Sequence, residues 1–112
     1  MEDKTPIESF SGFYSFLSNF SYCDVEFEGL EYPSVENAYQ AAKTLEPNLR
    51  LQFTEISPAE SKKRGRSLTL RSDWDQVKIG IMYELLKKKF SKQSMQVKLL
   101  ETGDRELIEG NY

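Results

Sequence analysis

Glu36, Gln40 and Lys43 stand at i, i+4 and i+7, a spacing that puts a carboxylate, an amide and an ammonium on one narrow helix face. Such a stripe could offer acid–base and hydrogen-bonding groups to a single ligand. The same residues also suit a helix that places Glu near its start and Lys near its end to complement its dipole. Lys62, Lys63, Arg64 and Arg66 cluster around Gly65, and basic side chains at a helix terminus can hold phosphate or pyrophosphate. A solvated helix end is the plainer account of that cluster. Phe16, Leu17, Ser18, Asn19 and Phe20 set small polar groups between large rings, which suits the wall of a nucleoside pocket, with the Asn19 amide reading polar edges. An aromatic core would use them equally well. Trp74 could stack on a base or fill the core, and Lys87, Lys88 and Lys89 read as a solvated helix face.

What is missing narrows the chemistry further. The 112 residues contain no His and one Cys, so the usual zinc ligand sets cannot be assembled. Ser-His-Asp and Cys-His catalysis are excluded on the same ground. Any enzyme built from this chain relies on carboxylates, Lys, Tyr, amides or a bound group; no particular metal or cofactor is implied. A net charge of −3 gives no bulk attraction to nucleic acid, although local basic clusters remain. Cys23 has no partner for an intrachain disulfide, and a reducing compartment is the simpler expectation. Without an apolar run of about 20 residues, and with Met1-Glu2-Asp3-Lys4 at the start, the chain reads as cytoplasmic with no membrane partner.

The length fits one domain. Val25, Phe27, Leu30 and Tyr32 alternate with Glu26, Glu28 and Glu31 around Gly29, which predicts a short β-hairpin with one wet face. Ser34 is placed to cap a helix over Val35 to Leu45 that Pro47 stops. Ser57-Pro58-Ala59-Glu60 predicts a capping box opening a helix that Gly65 closes. A longer helix is expected from about Asp73 to Phe90, with Trp74, Val77, Ile81 and Leu85 on one stripe. A fourth is expected over Lys92 to Thr102, ending at Gly103. The fold class is mainly α, bordering on α+β: a multihelical single domain with an N-terminal β-hairpin.

Longer words of the sequence carry more information than these spacings. They are Phe13-Tyr14-Ser15-Phe16-Leu17-Ser18-Asn19-Phe20, Tyr32 to Lys43, Ser57-Pro58-Ala59-Glu60-Ser61-Lys62, Gly65-Arg66, Arg71-Ser72-Asp73-Trp74-Asp75 with Lys78, Thr102-Gly103-Asp104, and Leu107 to Asn111. In this order the chain resembles the YbiA-like, or NADAR, family. The resemblance implies a compact, mostly helical domain over residues 1–112, ending before the Trp/Asp- and Gly-rich tail of the family pattern. It implies an N-glycosidase acting on ribose or ADP-ribose in a nucleotide-like substrate, either a riboflavin-pathway ribosylamine phosphate or ADP-ribosylated guanine, the latter also within nucleic acid. A catalytically inactive nucleotide-binding module is the alternative, and an interaction domain on the same scaffold a third. The resemblance further implies a lysine that forms a Schiff base with opened ribose, Lys43 first and Lys62 second, and Glu36 as the carboxylate that steadies positive charge or handles protons. Asn19 and Gln40 would hold ribose hydroxyls and Arg66 a phosphate, while Phe16, Ser18, Phe20, Tyr39, Trp74 and Asn111 would line the substrate pocket. Neither the leaving base nor the oligomeric state is specified.

Overall fold

Alternation and turn chemistry build the first element. In the computed structural model, which describes residues 17–92, β1 (Val25–Phe27) and β2 (Leu30–Tyr32) pair antiparallel with Val25 opposite Tyr32 and Phe27 opposite Leu30. Val25, Phe27 and Tyr32 are buried while Glu26 and Glu31 face water. Glu28 and Gly29 take φ values of 47° and 93°, the left-handed pair that a two-residue hairpin turn needs. Glycine accepts that conformation freely, and Glu28 is held there by Arg50, whose Nη1 donates to Glu28 Oε1 at 2.7 Å.

The next helix, α1 (Val35–Ala41), opens where Ser34 was expected to cap it. Ser34 Oγ accepts from the Asn37 backbone N–H at 3.0 Å and donates to Asn37 Oδ1 at 2.5 Å. The helix ends four residues earlier than its sequence pattern predicts. Pro47 has no N–H to offer the Lys43 carbonyl, and that carbonyl instead accepts from the Arg71 backbone N–H at 2.7 Å. Lys43 N and Thr44 N turn back to Gln40 O and Ala41 O at 3.2 Å, tightening the last turn into i→i+3 bonds. Leu45, the last residue of the expected helix, is 62% exposed.

Pro47 then begins a helix, α2 (Pro47–Gln52), that periodicity did not reveal. Six residues are too short to display an amphipathic period, although Pro at the first position is itself a start signal. Buried Arg50 on α2 donates from Nε to Thr44 O at 2.7 Å and lies 5.4 Å from the Phe27 ring centroid. It thereby ties the hairpin turn to the α1–α2 connection.

The following helix, α3 (Pro58–Gly65), is capped by Ser57 Oγ accepting from Glu60 N at 3.1 Å. The Glu60 carboxylate pairs with Arg64 Nε at 3.0 Å. The last described element, α4 (Trp74–Phe90), turns Trp74 and Leu85 into the core, with Val77 and Ile81 packed against it. Lys92 to Thr102, where a further helix was expected, falls largely outside the described residues.

One expectation on α4 is corrected. Lys89 is fully buried, not part of a wet face, because it follows Leu85 by four residues and continues the inward stripe. Lys88 remains at the surface and donates from Nζ to Glu26 O at 2.8 Å, while Lys92 Nζ reaches Asp24 O. The end of α4 is thus fastened along β1.

Helix α1 lies against α2, α3, α4 and both strands, and six of its seven residues are buried. Its Asn37 donates from Nδ2 to Phe53 O and Ile56 O, both at 2.8 Å, and so holds the α2–α3 connection. Replacing Asn37 with Ala leaves both carbonyls without this donor. Each buried unsatisfied group costs roughly 1–3 kcal/mol, so Asn37→Ala should destabilise the fold by about 2–4 kcal/mol. Urea denaturation, with an earlier midpoint at unchanged slope, checks this.

Candidate active site

Four elements bring chemistry-bearing side chains to one region. Helix α1 supplies Glu36, Tyr39 and Gln40, and the turn after it supplies Lys43. Helix α3 supplies Lys62, with Arg66 at its C-cap. The turn over residues 17–21 supplies Asn19 and Phe20.

Glu36 is fully buried and Gln40 is 3% exposed, and Gln40 Nε2 donates to Glu36 Oε2 at 2.5 Å. A charge-assisted bond of this kind fixes the carboxylate's direction. Gln40 Oε1 is buried with no hydrogen-bond partner among the described residues. The Glu36 backbone N–H donates to Asn19 O at 3.0 Å, so the turn at 17–21 is sewn to the start of α1. The Asn19 amide lies 3.7 Å from Met82 Sδ on α4.

Lys43 is half-buried. Its burial is the largest influence on the amine and holds it below the ordinary lysine pKa. The Glu36 carboxylate acts in the opposite sense, and Arg66 and Lys62 press the value down further. Lys43 therefore lies within the electrostatic influence of all three. Tyr39 is shifted upward, by burial first and by Glu36 second. Lys62 Nζ sits 5.6 Å from the Phe20 ring centroid, a cation–π distance that joins α3 to the 17–21 turn.

Gly65 was expected to close α3. It is the last helical residue, but its backbone is ordinary and Arg66 forms the cap. Its lack of a side chain serves a close approach instead: a Cβ at Gly65 would overlap Gln40 Oε1 and crowd Gln40 Cδ. Only glycine lets α3 approach α1 so closely, which sets how near Lys62 and Arg66 come to Lys43.

Other expected residues sit differently. Trp74 is buried and packs on Tyr39, ring centroids 5.1 Å apart, so it backs the site through Tyr39. Ser18 Oγ accepts from Phe20 N at 3.1 Å and shapes the turn. Phe16 and Asn111 lie outside the described residues. Beside Tyr39, an apolar groove of about 480 Å³ runs along α4, lined by Lys78, Ile79, Met82, Tyr83 and Leu86. Sequence reasoning passed over Asn37, Met82 and Lys89. A signal for the last was available, because Lys89 continues the Trp74–Leu85 stripe.

Residues 1–112 match the model of the NADAR domain. The chain belongs to the NADAR family. It is 32% identical over 100 residues to N-glycosidase YbiA of Shigella sonnei, covering 86% of this chain and 62% of that protein. To N-glycosidase Npun_R5314 of Nostoc punctiforme it is 35% identical over 105 residues, covering 88% and 67%. The NMR structure of Escherichia coli YbiA is similar with a TM-score of 0.79 at 31% identity, over 97% of this chain and 68% of that one. This NADAR chain thus spans 62% of the length of the YbiA relative from Shigella sonnei. The mainly α architecture with its hairpin agrees with that likeness. No helix among the described residues is long and apolar enough to cross a membrane.

Two expected outcomes follow from this NADAR site geometry. Gly65→Ala should push the Gln40 amide from its place and cost about 1–3 kcal/mol, as overpacking does, read as a lowered Tm. Arg66→Gln removes a cation that depresses the Lys43 pKa, so the neutral amine should appear only at higher pH. A pH series of amine labelling at Lys43, resolved by peptide mass spectrometry, should show the midpoint rise. The rise should shrink in high salt, because Arg66 is exposed.

Proposed function

We propose that the protein is an N-glycosidase that cleaves the bond joining ribose or ADP-ribose to a base in a nucleotide-like substrate, with Lys43 as the nucleophile. The observation that carries this reading is the half-buried Lys43 amine, depressed in pKa, within electrostatic reach of the buried Glu36 carboxylate and the Arg66 and Lys62 cations. A lysine attacks carbon only when neutral, and desolvation beside other cations favours that form. The relatives' name, N-glycosidase, supports the same reaction class.

In this scheme the electron pair of the C1–N bond departs with the base, which takes up a proton. Positive charge grows at C1, and the Glu36 carboxylate, aimed by Gln40, stabilises it. The Lys43 amine adds to C1 and loses a proton. The C1–O4 bond then breaks as the nitrogen lone pair forms the C1=N bond, the ring oxygen takes up the released proton as a hydroxyl, and a protonated Schiff base remains. Water adds to the imine carbon, the C–N bond to Lys43 breaks, and the sugar leaves as the hydrolysed product. The Asn19 amide oxygen is suited to accept from a ribose hydroxyl, while Gln40, whose Oε1 is closed against Gly65, serves the substrate side by aiming Glu36. Arg66, exposed at the end of α3, is suited to a substrate phosphate. Phe20 would wall the ribose side. Buried Cys23 with a free thiol fits a reducing, cytoplasmic setting for this work.

The test is turnover of a ribosylamine phosphate and of ADP-ribosylated guanine, followed by chromatography and by borohydride trapping with peptide mapping. Lys43→Ala should lower the rate at least about 10²-fold with the helical circular-dichroism signal intact, and wild-type trapping should mark Lys43 above a denatured control. Full turnover in Lys43→Ala would transfer the nucleophile to Lys62. Binding of either substrate without product would instead favour a nucleotide-binding module.

A further inference from the structure

Lys89 is a buried charge that the proposed mechanism leaves unused. Its neighbours Lys87 and Lys88 meet solvent, yet Lys89 has 0% exposure. The helical period forces this, since Lys89 continues the stripe of Trp74, Val77, Ile81 and Leu85 into the interior. An ammonium is tolerated there only where good acceptors receive it. Lys89 Nζ donates to Ser18 O at 2.8 Å and to Ser21 Oγ at 2.9 Å.

Both acceptors belong to the turn over residues 17–21. That turn is closed by Ser21 N donating to Ser18 O at 3.1 Å and Phe20 N donating to Ser18 Oγ at 3.1 Å. Ser18 O also accepts from Ser21 Oγ at 2.9 Å, so one carbonyl gathers three donors. Between these anchors sit Asn19 and Phe20. Asn19 O receives the Glu36 N–H at 3.0 Å, and the Phe20 ring lies 5.6 Å from Lys62 Nζ. The turn is therefore held from α1 on one side and from the end of α4 on the other.

We propose that Lys89 is a positioning residue: by clamping Ser18 O and Ser21 Oγ it fixes the turn that keeps Asn19 and Phe20 against Glu36 and Lys62, and so sets affinity for the ribosyl substrate without taking part in bond cleavage. The consequence for substrate rests on the N-glycosidase reading, whereas the clamping of the turn does not. Lys89 reaches the turn from the opposite end of α4 to Trp74, so that helix acts as a strut between the turn and the Tyr39 side of the site.

The test uses Lys89→Met, which keeps an unbranched stem of similar length and removes the ammonium. Amide hydrogen exchange by NMR should show protection at Phe20, Ser21 and Glu36 falling at least about tenfold, with Ala42 and Val77 unchanged. In turnover, KM should rise about tenfold while kcat stays within roughly a factor of two. The pH midpoint for labelling Lys43 should not move. A uniform loss of protection would make Lys89 a general stabiliser and overturn the proposal, as would no change at all. A fall in kcat with KM unaltered would overturn it too. If the wild-type protein hydrolyses neither substrate, the N-glycosidase reading fails by itself, and the exchange pattern still decides whether Lys89 clamps the turn. Should Lys89→Met not fold, Ser21→Ala removes one acceptor at a half-buried position and carries the same readouts with smaller changes.

Discussion

A seven-residue helix enclosed by five other helical or strand elements and a turn leaves almost no room for water. On α1, Glu36, Asn37 and Gln40 are polar and buried, so each must find hydrogen-bond partners within the protein. Asn37 meets this demand by cross-linking Ser34 to the carbonyls of Phe53 and Ile56. Gln40 and Glu36 meet it partly through each other. The same demand orders the surroundings: the α2–α3 connection lies where Asn37 can reach its carbonyls, and the 17–21 turn lies where Asn19 O can receive Glu36 N–H. Removing polarity from α1 would thus loosen the architecture as well as the site.

The end of α1 matters as much as its centre. With a residue other than proline at 47, the helix could run on and Lys43 would be an ordinary helical residue with its carbonyl bonded to that residue's N–H. Pro47 denies that bond, the backbone turns, and the Arg71 backbone takes the Lys43 carbonyl. Lys43 therefore stands at the junction of α1 with the approach to α4. There it loses water without losing contact with the charges of Glu36, Lys62 and Arg66. The nucleophilic role proposed for Lys43 needs this compromise, because complete exposure would leave it protonated and complete enclosure would bar a substrate.

Glycine and lysine each have an unusual task in this fold. Gly65 is present for what it lacks, allowing α3 to press on Gln40. Lys89 carries a charge into the interior, where it meets carbonyl and hydroxyl oxygens of the 17–21 turn. In the proposed site, close packing at one point and a buried hydrogen-bonded cation at another would do the ordering for which many hydrolases use histidine networks. With no histidine in the chain, orientation has to come from amides, carbonyls and packing.

Local physics made much of this legible in advance. The hairpin followed from alternation about Glu28-Gly29, and the caps at Ser34 and Ser57 from hydroxyls preceding apolar or proline starts. The α4 stripe followed from its period. Glu36, Gln40 and Lys43 stood out because helical spacing would align them, although Lys43 stands in the turn just beyond α1. The family was legible because long words in order carry more information than any single spacing. Tertiary structure decided the rest. It buried Glu36 and Gln40 along with the apolar side of α1, since elements from distant parts of the chain close over both faces. It also ended α1 early through a bond to Arg71, gave the inward-facing Lys89 its acceptors on a turn some seventy residues away, and made Gly65 a contact point instead of a cap. Residue type and spacing determined which groups exist and which share a helix face; burial, and with it the charge state and reach of each group, depended on partners that no local window contains.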